Sequence, residues 1–200
     1  MRLLTTLTLL TISLSAIGQK SYVDTENKYT DSSGKGIIIQ NSLPKGGGYL
    51  DSARKIGYTD PTGKNYSYVI FWSRVINQTD AAIQVSINFA ADPLAIFPTS
   101  DSYIKLFLDP DTMNSDKESM GDYGITGLKN FLDTSYNKST SLQRTINAKE
   151  EYSFYVVALI YQARGTARAA FTLKEQGLYY RIRIGFPSGI IPCGKIVFKK

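Results

Sequence analysis

In "AIQVSINF" (82–89) every second residue is apolar. Ile83, Val85, Ile87 and Phe89 fall on one side of an extended chain, and Gln84, Ser86 and Asn88 on the other. A period of two is the mark of a strand with one buried and one wet face, the usual condition in antiparallel sheets. Just upstream, "YSYVIFWSRVIN" (66–77) is aromatic and β-branched throughout, and long enough for one extended strand. Between the two, Asn77 and Asp80 in "NQTD" are residues whose side chains cap their own backbone in tight turns, so the pair is expected to form a hairpin. Further strand patterns follow in "GIIIQ" (36–40), "YIKLFL" (103–108), "SLQRTI" (141–146), "YSFYVVALIY" (152–161), "ARAAFTL" (167–173), "LYYRIRI" (178–184) and "GKIVF" (194–198). Short strands at close spacing with almost no helical pattern predict an all-β fold, an antiparallel β-sandwich with at most one short helix. The helix is expected at "GLKNFLD" (127–133), with Leu128, Phe131 and Leu132 on one side and Thr126 as its cap.

The stretches "YTDSSGKG" (29–36) and "YTDPTGKN" (58–65) are near twins. In "DPTG", Asp60, Pro61 and Gly63 stand at the first, second and fourth positions of a type I turn, each a preferred residue there; "DSSG" fits the same template. A phosphate-binding loop does not fit, because Gly57 and Gly63 are one residue too far apart and Asn65 replaces the metal-binding hydroxyl. Both twins read as turns. "EQG" (175–177) reads as another, joining two strands.

"INAKEEYSFYVVAL" (146–159) resembles the E–F corner of fibronectin type III and immunoglobulin-like domains. Ile146 is followed six positions later by Tyr152, then by alternating Phe154, Val156 and Ala158. The resemblance implies an immunoglobulin/fibronectin III-like sandwich in which the Tyr152 hydroxyl bonds the backbone a few residues upstream. Ala148 and Lys149 stand where that family usually has Pro-Gly. "VINQTDAAIQVSINF" (75–89) also resembles segments of exported bacterial proteins to which no function is attached.

The N-terminal "MRLLTTLTLLTISLSAIGQK" has one cation at Arg2, an apolar run too short to cross a bilayer, and small residues Ala16 and Gly18 before a cut ahead of Gln19. That is the layout of a signal peptide over residues 1–18, and no transmembrane span follows. Export to the periplasm, cell surface or medium is the expectation. A polar segment follows at 19–35, with at most a short edge strand near Tyr22, and then a single sandwich domain at 36–200. Cys193 is the lone cysteine, so no internal disulfide is possible, and its apolar neighbours read it as a buried small hydrophobe. There is no histidine. That excludes Ser/His/Asp and Cys/His catalysis and ordinary zinc sites; no metal or other cofactor is expected.

The net charge of +6 is concentrated at the end of the chain: residues 161–200 carry eight Lys/Arg and one acid. In "LYYRIRI", Tyr179, Arg181 and Arg183 share one face. With Arg164 and Arg168 they form a candidate binding surface for an anionic glycan, a lipid head group or an envelope protein, since guanidinium makes paired contacts with such groups. A charged, solvent-facing strand that resists edge pairing explains the same residues. Nucleic acid is not an expected partner, for no reading motif is present. The acids Asp109, Asp111, Asp116, Glu118 and Asp122 begin like a calcium loop, but Met113 and Asn114 break the spacing, and a solvated loop is the reading. The functions left open are a non-catalytic binding or surface-interaction module, a carboxylate-dependent polysaccharide hydrolase, and a structural subunit of a secreted assembly. Tyrosine numbers 14; in sheets it both fills half-buried positions and stacks on sugars. Asn65, Asn77 and Asn137 sit in glycosylation sequons, relevant only in a eukaryotic secretory pathway.

Overall fold

A computed structural model describes residues 22–30, 34–46, 57–96, 101–163, 165–185 and 189–199. It is mostly β, with every ladder antiparallel. Strands β1 (Val23–Thr30), β2 (Gly36–Ser42), β3 (Tyr58–Thr59), β4 (Asn65–Asn77), β6 (Leu94–Ala95), β7 (Tyr103–Asp109) and β9 (Glu151–Tyr161) make one sheet, ordered β1-β2-β4-β9-β7-β6 with β3 against the start of β4. It curls into a half-barrel. Strands β5 (Ile83–Phe89), β8 (Thr140–Ile146), β10 (Ala167–Lys174), β11 (Gly177–Ile184) and β12 (Gly189–Phe198) make the second, ordered β10-β11-β12-β5-β8. One helix, α1 (Leu128–Ser135), and two 3-10 turns lie between β7 and β8. Among the described residues no helix is long and apolar enough to cross a membrane.

The alternation sorts the side chains as read. Ile83, Val85, Ile87 and Phe89 of β5 join Phe171, Tyr180 and Ile182 of the five-stranded sheet, and Phe71, Val75, Phe154 and Val156 of the seven-stranded sheet, in one shared core. Burying a large apolar side chain is worth about 1.5–3 kcal/mol, and this core does so without any disulfide. The seven-stranded sheet has a second buried face. Trp72 pairs with Tyr155 and Tyr155 with Asp109; one row on, Ile70 pairs with Val157 and Val157 with Phe107. Met113, Tyr123, Leu128, Phe131 and Leu132 from the β7–β8 connection cover these rows. That is why β4 and β9 read as continuous apolar runs.

Several expectations are corrected. The predicted hairpin of 66–77 with 82–89 does not form: β4 pairs with β2 and β9, while β5 pairs with β12 and β8 in the other sheet. The "NQTD" segment is a crossing between sheets. The polar 19–35 segment holds an eight-residue strand, β1, whose charges suit an unpaired edge. Thr126 does not cap α1; Gly127, in the left-handed conformation, occupies that position, and Thr126 donates to Asp111 instead. The last strand begins at Gly189, five residues before the predicted start. The β8–β9 link does cross between sheets, as a corner would. Tyr152, however, makes no hydroxyl bond to the upstream backbone; its ring stacks on Phe154 and lies under the Arg144 guanidinium. Lys149 takes a positive φ of 65° where the Pro-Gly of the resembled corner would place a glycine. The expected signal peptide at 1–18 lies outside the described residues, as do residues 31–33 of "DSSG".

The "DPTG" turn is present. Gly63 N donates to the Asp60 carbonyl at 2.9 Å, and Asp60 Oδ1 accepts from Thr62 N, Thr62 Oγ1 and Lys64 N at 2.7–2.9 Å. Burial pushes the Asp60 carboxyl up, but these bonds outweigh it and hold it below its ordinary value.

Candidate functional site

The outward face of the five-stranded sheet gathers most of the predicted contacts. Arg168 is directly opposite Arg183, Ala170 opposite Arg181, and Thr172 opposite Tyr179. Residues directly opposite in an antiparallel pair sit on the same face with Cα atoms about 4.5–5.5 Å apart, so the three guanidiniums form one patch. Arg181 and Arg183 are exposed, and Arg168 and Tyr179 half-buried. Arg168 Nε lies 3.5 Å from Asp24 Oδ2 at the end of β1, so part of its charge is met internally. A β-carbon added to Gly177 would meet the Tyr179 ring at 3.1 Å, so the glycine is what lets that ring lie back along its strand. Arg164 lies outside the described residues.

The charge pattern extends through the whole sheet. Its five strands contain six basic residues (Arg144, Arg168, Lys174, Arg181, Arg183 and Lys195) and no Asp or Glu. The acids lie in the other sheet and the connections. Five of the six basic residues stand on the outward face, whereas Arg144, the partner of core-facing Val85, lies over the Tyr152 ring; with Asp24 meeting Arg168 and Glu175 in the β10–β11 turn, the face remains net positive.

Beside this face the two sheets part. An apolar slot of about 240 Å³ is lined by Leu94, Ala95 and Ile96, by Ile104 of β7, and by Ile182, Ile184, Gly189, Ile190 and Ile191. Two local facts leave it open. Strand β6 is only two residues long and pairs with Tyr103 and Ile104 alone. Gly189 is opposite Ile182, and a β-carbon there would find nothing within 4 Å. Ile190 is 56% exposed and is the register partner of Arg181, so a guanidinium stands directly beside exposed apolar surface.

On the far face of the seven-stranded sheet many polar groups bond one another, while Tyr58 Oη, Trp72 Nε1 and Asp109 Oδ2 are buried without a hydrogen-bond partner. The Tyr66 hydroxyl bonds those of Tyr136 and Tyr103, the latter at 2.7 Å, and reaches Asp60 Oδ2 at 3.3 Å. Burial pushes the Tyr58 and Tyr66 hydroxyls well up, and that of Tyr136 up to about 12. Lys105 is buried with its ammonium 4.0 Å from the Tyr136 ring centre, and desolvation lowers its pKa. Asp109 Oδ1 accepts from Asp111 N, and burial raises its pKa. Asp111 is taken by Lys117 Nζ at 3.3 Å and by the Thr126 amide and hydroxyl. The Lys117 ammonium also bonds the Thr112 carbonyl at 2.6 Å, so it occupies the ground a cation would need between these oxygens. Among the described residues no group of three or more His, Cys, Asp or Glu is placed to hold a metal ion.

The other singled-out residues sit at one end of the molecule. Asn77 is fully buried at the crossing from β4 to β5. Asp80 is exposed and bridges Lys35 at 2.6 Å and Lys149 at 2.8 Å. Cys193 is buried, donates to the Leu178 carbonyl, and burial pushes its thiol up to about 12. Sequence reasoning missed the slot, whose lining comes from separate segments; only Gly189–Ile190, breaking the polar-apolar alternation with an outward isoleucine, hinted at it. No family model, curated protein or solved structure matches this chain.

Proposed function

We propose that this protein is an exported, non-catalytic binding module that grips an anionic polymer, such as an acidic glycan of a cell envelope, with the outward face of its five-stranded sheet. The observation that carries this reading is the charge of that sheet: six Lys/Arg, no Asp/Glu, and Arg168, Arg181 and Arg183 brought onto one face by cross-strand register. Guanidiniums on a rigid sheet recognise carboxylate or sulfate with paired, directional hydrogen bonds and lose little freedom in doing so. The layout of residues 1–18 supports export. Retention of the full chain on immobilised heparin tests the reading. The wild type is expected to bind at low salt and elute as salt rises through the range that screens exposed charges. The Arg181→Ala/Arg183→Ala protein elutes earlier, with affinity lowered roughly fivefold or more. Unaltered retention of the double variant overturns the proposal.

We further infer that the two sheets stack as a β-sandwich of the broad immunoglobulin/fibronectin III kind. The shared core and the crossing of β8–β9 between sheets support this frame. The strand after β9 departs from the order of that family, because β10 joins the opposite sheet instead of pairing with β9.

A further inference from the structure

We propose that the slot between β6–β7 and β11–β12 is the tail site for a single-chain anionic amphiphile, a fatty carboxylate, whose head group is held by Arg181 beside the mouth. The inference rests on the binding reading above and names a ligand class for one edge of that basic face.

The slot lining offers aliphatic side chains and no polar side chain. Main-chain groups add polar surface and the slot is open on one side, so it offers an aliphatic wall for an apolar chain to lie against rather than a sealed cavity. Its volume of about 240 Å³ is below the usual range for pockets that enclose drug-sized ligands, which suits one unbranched chain better than a ring system or a two-tailed lipid. Charge complementarity sets the head group. Ile190, half out of the slot, is paired in register with Arg181, and Arg183 follows two residues on. Ile182, Ile184 and Ile191 face inward and the guanidiniums outward, but Ile190 lines the slot and shares the face of Arg181, so a chain that leaves the slot past Ile190 comes out on the basic side of strands that carry no acid. Gly189 keeps the interior open, since its missing side chain would point with Ile182 into this space.

The test is calorimetric titration of the full chain with dodecanoate, kept below its micelle concentration, alongside acetate, dodecyltrimethylammonium and phosphatidylglycerol vesicles. Dodecanoate is expected to bind; acetate lacks the tail and dodecyltrimethylammonium the negative head group, so neither should. Gly189→Leu fills the slot and should weaken dodecanoate by about tenfold or more, the effect of displacing a few methylenes, while leaving heparin retention intact. Ala95→Leu, on the opposite wall, is the second variant should the first fold poorly. Arg181→Ala should weaken both ligands. Dodecanoate binding unchanged by either slot variant, equal binding of the cationic amphiphile, or binding to vesicles alone overturns the slot assignment. Heparin retention without dodecanoate binding sinks this inference and spares the broader one; dodecanoate binding without heparin retention does the reverse.

Discussion

Asn77 shows how much one side chain can fix. Its amide nitrogen donates to the carbonyls of Ala81, Ile146 and Asn147 at 2.8–3.2 Å, and its Oδ1 accepts from Thr79 N and Oγ1 at 3.0 and 2.6 Å. One buried residue thus ties the crossing from β4 to β5 to the end of β8. Its nitrogen is enclosed, so the Asn77 sequon cannot carry a glycan in the folded chain, whatever the pathway. Asn77→Ala leaves several buried groups unpaired and is expected to cost about 2–4 kcal/mol, read as a lower urea midpoint at unchanged slope. A loss under about 0.5 kcal/mol, the scale of an ordinary surface substitution, would contradict this account. The residue was legible in the sequence as a turn former. What it turns between was not, because a short polar link such as "NQTD" joins strands of one sheet or of two equally well.

At the scale of elements, the strands were legible and their partners were not. Period-two patterning fixes which side of a strand is wet, and it correctly placed Tyr179, Arg181 and Arg183 together. It says nothing about the neighbour, which depends on contacts far along the chain. A clue did exist: β4 has Ile70, Phe71 and Trp72 buried in succession, whereas β5 is buried on alternate residues, so the two belong to layers with different surroundings. Strand β1 was expected as at most a short edge strand near Tyr22, and its full eight residues were not legible because edge strands are polar by necessity. The joint between β12 and β5 offers a sharp test. A β-carbon on Gly194 would stand 1.9 Å from the Ser86 carbonyl oxygen, closer than any real contact, whereas one on Gly189 meets nothing within 4 Å. Gly194→Ala should therefore lower stability by about 2 kcal/mol or more, and Gly189→Ala by little; comparable thermal midpoints for the two variants would refute the close approach.

Across the whole molecule the strands of the five-stranded sheet carry basic residues and no acid, while the acids lie in the strands of the other sheet and in the connections. At one end, three connections meet in a small ionic knot: Lys35 ahead of β2, Asp80 between β4 and β5, and Lys149 between β8 and β9. Lys149, and then Lys35, depress the Asp80 carboxyl to about 2. A depressed folded value stabilises the protein above the ordinary carboxylate range, and that contribution disappears as pH falls toward 2. Asp80→Asn is thus expected to melt below the wild type at pH 6, with the gap closing on acidification and shrinking in high salt. A gap indifferent to pH would show that the knot is not electrostatic.

The longest ladder in the fold, β4 with β9, has a consequence in time. Ser67 is partnered by Ile160, so the two halves of that ladder are made far apart and β4 must wait for its mate. Non-local pairing of this sort is slow to nucleate, because the intervening chain loses its freedom before any contact rewards it. During that wait Ile70, Phe71 and Trp72 stand bare to water or to any hydrophobic host. In a nascent chain that apolar run therefore stays without its ladder partner until residue 161 has emerged.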